Sequence, residues 1–324
     1  MKGKRSPLAG AALSLLSVLL VTTVSYADST VVPGFLQNVE GNFGNSLPFH
    51  LTVAVPASAR YQQVYSSSEF AALGPIVITR IGFRPNAIDG SGSGVGSAFL
   101  TTIPSIQINL STTSAGPGAL STIFAANVGS DDTVVHRGSL LLSSAFTGPA
   151  TGPKAFDISI QLTTPFLYDA TKGNLLLDVR NFSNSETAFF DASFLPGDSV
   201  SRVSTNRAGN ADSPVADFAD TLGLVTQFEW VPLTPRVAIG LLINDIQTLL
   251  NDAILTQDQV DGLRDKLEAA IASLTGRNSG PACNQIHAFV NQVNAFIKAG
   301  IITIAQGQAL TDAANDVSEM IGCL

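Results

Sequence analysis

The hydrophobic period of this chain changes once, near Pro232 and Pro235, and that change commits it to two unlike modules. From Asp28 to about Pro235, short runs of alternating apolar and polar residues are separated by Gly, Pro, Asn and Asp, the pattern of strands with one buried face. Beyond Pro235 the apolar residues return every third or fourth position, as in amphipathic helices. At 324 residues the chain has room for two domains. The expectation is an all-β antiparallel sandwich, jelly-roll-like, over 28–235, followed by a small all-α four-helix module over 236–324.

The helical part is an internal duplication. Ile239, Leu242, Ile246 and Leu249 mark a first helix and Val260, Leu263, Leu267 and Ile271 a second, with Gly276 where a C-cap belongs. At an offset of 47, Ile246 matches Val293, Leu249 matches Phe296, Ile254 matches Ile301, and Leu263 matches Leu310. Thr256 with Gln259, and Thr303 with Gln306, each spell a capping box. Two αα-hairpins with one apolar face apiece bury those faces against each other. Cys283 opens the third helix and Cys323 closes the fourth, so antiparallel packing sets them side by side, and a disulfide is expected.

In the β part, Phe156 to Phe182 reads as a core hairpin. Phe156, Ile158, Ile160 and Leu162 alternate with polar residues, Asp169 to Asn174 supplies a turn, and Leu175, Leu177 and Val179 alternate again. Arg60 to Tyr65, Ser105 to Ser111, Thr133 to Leu142, Thr187 to Ala192 and Ser199 to Ser204 are further strands, about ten in all. In GPIVITRIGFRP, strict alternation puts Val77, Thr79, Ile81 and Phe83 on one face, with Arg80 and Arg84 on the other. The stretch Asp89 to Ser97, rich in Gly and Ser, reads as a loop.

Lys2, Lys4 and Arg5 precede an apolar run from Leu8 to Val24 that ends in Ser25-Tyr26-Ala27, the layout of an export signal cleaved after Ala27. Cleavage removes those three cations and no acid, so the formal charge moves from -8 to -11. An acidic mature chain argues against nucleic acid as a partner. No later run is long and apolar enough for a membrane span.

Few residues carry the signature of a catalytic site. His50, His136 and His287 lack metal-ligand spacing, His136 reading as an exposed strand residue and His287 as part of a solvated helix face. The order GSGSG at Gly90 to Gly94 is neither a nucleophile elbow nor a phosphate loop. Asp131 and Asp132 form the one adjacent acidic pair; a turn role is expected for them, and calcium is the metal their oxygens suit. Glu229 should lie on an outer face beside Trp230. Phe189, Phe190, Phe194, Tyr61, Tyr65 and Tyr168 are candidates for a sugar platform, although the space between two sheets also demands large rings.

The stretches RYQQVY, ITRIGFRP, PSIQINLSTT, GSDDTVVHRGSLLLS and TTPFLYDATKGNLLLDVRNF resemble a β-sandwich region of exported bacterial proteins of the PEP-CTERM type, over roughly Val31 to Val231. From about Gly240 to Leu324, IQTLLNDAILTQDQVDGLRDKLEAA and CNQIHAFVNQVNAFIKAGIITIAQGQAL are similar to the FIMAH-type helical module of secreted bacterial proteins. That second resemblance implies an accessory module for interaction or display. Together these features set the expectation: a secreted or cell-surface protein, not an enzyme and without a cofactor unless calcium binds. Its role would be structural, adhesive or matrix-associated, with extracellular polysaccharide or a cell-surface protein as partner. The second reading is a lectin-like carbohydrate-binding sandwich, calcium-dependent if Asp131 and Asp132 hold the ion. The last is an extracellular hydrolase.

Overall fold

A computed structural model describes residues 27–52, 57–88, 94–206, 209–274 and 279–323. The leader, the first half of the Gly-Ser loop and Gly276 lie outside the described residues. Thirteen described strands, all paired antiparallel, form three sheets ahead of four helices.

A four-stranded sheet runs in the order β1 (Asp28–Val32), β13 (Thr226–Pro232), β4 (Ile76–Phe83), β7 (Ile158–Tyr168). Facing it is a six-stranded sheet, β11 (Phe218–Asp220), β10 (Val200–Ser204), β3 (Ala59–Tyr65), β8 (Asn174–Asn181), β5 (Phe99–Thr113), β6 (Thr133–Ser144). A small third sheet, β12 (Leu222–Leu224), β9 (Phe190–Phe194), β2 (Phe43–Asn45), closes one end. One apolar core joins them, with Tyr65, Ile81, Ile108, Ile160, Val179 and Phe228 among its fully buried members.

The expected hairpin over Phe156 to Phe182 is not one. β7 pairs with β4, whereas β8 pairs with β3 and β5, so the connection 169–173 arches from one sheet to the other. Ile158, Ile160 and Leu162 meet Leu175, Leu177 and Val179 across the core as expected, whereas Phe156 packs outside that core and Leu176 and Asp178, on the opposite face of β8, are buried as well. Period-two alternation reports which face is buried, and an arch buries the same faces as a hairpin does. Gly173 permits the arch. Its φ is +149°, and a Cβ there would stand 2.7 Å from the Thr113 carbonyl oxygen.

Alternation also fails in β4. A bulge between Ile78 and Arg80 moves the register by one, so Ile76 and Ile78 share the core face with Ile81 and Phe83, while Val77 and Thr79 do not. Arg80 and Arg84 part as well. Arg80 is exposed and pairs with Glu229 at 3.2 Å, which keeps Glu229 on the outer face, whereas Arg84 is buried.

The helices α1 (Pro235–Asn251), α2 (Gln257–Ser273), α3 (Gly280–Lys298) and α4 (Ile304–Ile321) form a bundle with its own core, including Leu242, Ile246, Leu263, Phe289, Val293 and Leu310. Both capping boxes form. The duplication extends to the turns. Ile254 N–H donates to Leu249 O at 2.9 Å and Ile301 N–H to Phe296 O at 3.0 Å, each after a residue of positive φ, Ala253 and Gly300. Cys283 and Cys323 are bonded, with Cα atoms 5.4 Å apart. Among the described residues no helix is long and apolar enough to cross a membrane.

Candidate functional site

The β5–β6 connection builds the first wall of a cleft. The chain leaves β5 at Thr113, covers the outer face of the six-stranded sheet, and returns at Thr133. Phe124 on this excursion packs over the Arg60 guanidinium, 4.6 Å from Cζ to the ring centre. Asn127 donates to Gln62 Oε1 at 2.9 Å, and Gln62 in turn donates to Asp178 at 2.8 Å. At the return, Asp131 accepts from Thr112 N–H at 2.8 Å and from the Thr112 hydroxyl at 2.6 Å. Asp132 accepts from the Asn109 amide at 3.0 and 3.1 Å. Asp131 sits in the turn before β6, but both acids bond across to β5 and not to the backbone of their own turn. Among the described residues, no three His, Cys, Asp or Glu side chains gather into a metal-holding group.

The second wall is helical. Leu233 N–H donates to Pro75 O at 3.0 Å, which ties the linker to the start of β4, and Thr234 caps α1. α1 then turns Ala238, Leu241, Leu242 and Asp245 toward the sandwich, and α4 turns Ala313, Asp316 and Met320. The three- and four-residue spacings put each set on one helix face. Between the walls lies a cleft of about 870 Å3, whose sandwich side includes Asp131, Phe166, Leu167, Asp169 and Lys172. Asp169 accepts from the Thr171 hydroxyl and N–H, which hold its carboxyl below the usual range. Asp245 reaches solvent but lies between two protein walls, and the desolvation raises its pKa.

Other acids serve as internal braces. Asp191, wholly buried, accepts from Arg84 Nε at 2.7 Å and from Gly41 N–H at 2.9 Å. Arg84 also donates to the carbonyls of Leu36 and Val39, at 2.9 and 2.6 Å, so one guanidinium fastens the N-terminal segment to the sandwich. Burial pushes the Asp191 carboxyl up to about 7, against the pull of Arg84 and with the charge of Glu40 adding to the rise. Glu40, itself raised by burial, accepts from Ala87 N–H at 2.5 Å. Arg60 grips Asp178 through two bonds, at 3.1 and 2.6 Å, and Arg202 grips Asp220, at 2.8 and 3.1 Å.

Most of the expected sugar platform is core. Tyr61, Tyr65, Tyr168 and Phe190 are buried, and burial raises the pKa of all three tyrosines. Phe194 is 44% exposed and lies 5.4 Å from the Phe43 ring. His136 is half-buried opposite Ile108 in β6, not exposed as its position suggested, and His287 is exposed on α3.

Asp245, Asp316 and the Arg84–Asp191 pair did not stand out in the sequence. Asp245 had one visible signal, its place between Leu242 and Ile246 on the edge of the apolar stripe of α1. Asp191 had another, as an acid between Phe190 and Ala192 in a strand. Comparison with protein-family models and with curated proteins gives no match for this chain.

Proposed function

We propose that this chain is an exported, non-catalytic protein with a structural, adhesive or matrix-associated role, in which the sandwich is a rigid body and the FIMAH-like helical module makes or displays the contact. The observation that carries the reading is the use to which the sandwich puts its charged groups. Arg60–Asp178, Arg84–Asp191 and Arg202–Asp220 each join a strand to another strand or a covering loop. Such pairs, held by several hydrogen bonds, fix loops against sheets. The Cys283–Cys323 bond braces the helical module in the same sense and suits an oxidising compartment outside the cytosol.

The test is fractionation of cells expressing the full chain, with the mature N-terminus sequenced and surface and medium fractions probed. Cleavage after Ala27 and retention at the surface or in extracellular matrix are expected. A chain that stays in the cytosol with its first residues intact would overturn the proposal. The exposed Phe194 ring favours a second reading, carbohydrate binding, because an exposed aromatic face stacks on a sugar. Retention of the mature chain on a glycan panel, lost in Phe194→Ala, would support it.

A further inference from the structure

The cleft between sandwich and bundle joins apolar walls to an acidic rim. Leu167 on β7 is 43% exposed and Met320 on α4 is 38% exposed, and both face this space. Around them stand Asp131, Asp169, Asp245 and Asp316, against one lysine, Lys172, that already lies 4.0 Å from Asp169. Asp131 and Asp169 are held by Thr112 and Thr171. The carboxylates of Asp245 and Asp316, one from each helix, have no hydrogen bond or ion pair among the described residues. Cations entering the cleft meet two carboxylates that no protein group neutralises.

We propose that this cleft binds an extended lysine- or arginine-bearing peptide segment of a partner protein, with its aliphatic stems on Leu167 and Met320 and its cations on Asp245 and Asp316. Long basic side chains suit such a surface, because their methylene stems cover apolar groups while the heads stay at the rim. The acids are spread over both walls of a cleft of about 870 Å3, which matches a chain of spaced cations better than a single ion. The formal charge of -11 from Asp28 to Leu324 adds long-range attraction for a basic partner. This inference rests on the interaction role proposed above and names the chemistry of the partner.

The experiment titrates the oxidised chain from Asp28 to Leu324 with a fluorescent peptide of alternating leucine and lysine. Saturable binding is expected, weakened about tenfold in D245N/D316N, because each lost carboxylate removes a charge partner. D265N/D312N, which neutralises two exposed acids outside the cleft, should bind like the parent. Equal weakening in both double variants would reduce the effect to general attraction by an acidic chain and overturn the proposal. So would an absence of saturable binding, or displacement of the peptide by spermine at matched charge. Failure here, with surface retention intact in the fractionation experiment, removes this site and leaves the wider role standing.

Discussion

Arg84, just past the end of β4, and Asp191, the second residue of β9, form an ion pair 2.7 Å long whose side chains are 1% and 0% exposed. The guanidinium also holds the backbone carbonyls of the segment leading to Gly41, and Asp191 holds the Gly41 N–H. Removing either partner leaves the other charge buried and uncompensated. Arg84→Met should therefore destabilise the sandwich by about 3–5 kcal/mol, the usual cost of breaking a buried pair. Urea unfolding followed by Trp230 fluorescence measures this, and a loss below about 1 kcal/mol would show that the pair is not the brace it resembles.

The same cluster sets a pH dependence. Asp191 has a folded pKa of about 7 against an ordinary 3.8, and Glu40 is raised from 4.5, in both cases chiefly by burial. Arg84 opposes both shifts, and Lys154 opposes that of Glu40. Between those values the folded state binds more protons than the unfolded one, so stability falls as pH rises through the window. Asp198, raised chiefly by partial burial, acts in the same direction. Asp169, held low, loses its contribution only as pH falls below that window. Urea midpoints across the window should decline, and Asp191→Asn should make the slope shallower. A midpoint that climbs with pH over this range would refute the assignment.

The bond between Cys283 and Cys323 closes a loop of sequence separation 40 around α3 and α4. Replacing both cysteines by serine should cost the helical module about 2–4 kcal/mol, mainly by freeing the unfolded chain. The sandwich, with its separate core, should keep its own transition. Helix ellipticity and Trp230 fluorescence, followed together in urea, separate the two responses. A single transition lowered equally for both probes would contradict independent cores.

Ala253 has a φ of +57° at the place where the second repeat has Gly300, with φ +69°. A side chain in this conformation costs energy that glycine avoids. Ala253→Gly should stabilise the module by about 0.5–1 kcal/mol, and Gly300→Ala should destabilise it by about 1 kcal/mol. Thermal melts of the two variants, monitored at the helix band, should move in opposite directions. Shifts of the same sign would mean that the two turns are not equivalent.

What the sequence alone determined is the short-range part of this protein. The change of period at Pro235 and the capping boxes at Thr256 and Thr303 depend on residues near one another, while the repeat that equates Ile246 with Val293 and the placing of Cys283 and Cys323 at opposite ends of two consecutive helices are read directly along the chain. Local geometry leaves such features little choice. Tertiary structure alone decided which strands are neighbours. Alternation in Ile158–Tyr168 and Asn174–Asn181 identifies a buried face for each, but hydrogen-bond partners come from β3, β4 and β5, far away in sequence. The bulge in β4 likewise depends on registers set by β7 and β13. The charged groups were the least legible. Whether Arg84 meets water or Asp191, and whether Asp245 meets solvent or a facing wall, depends on elements more than a hundred residues apart in the chain for the first and more than seventy for the second. Burial decides the energy of a charge, and burial is a property of the assembled fold.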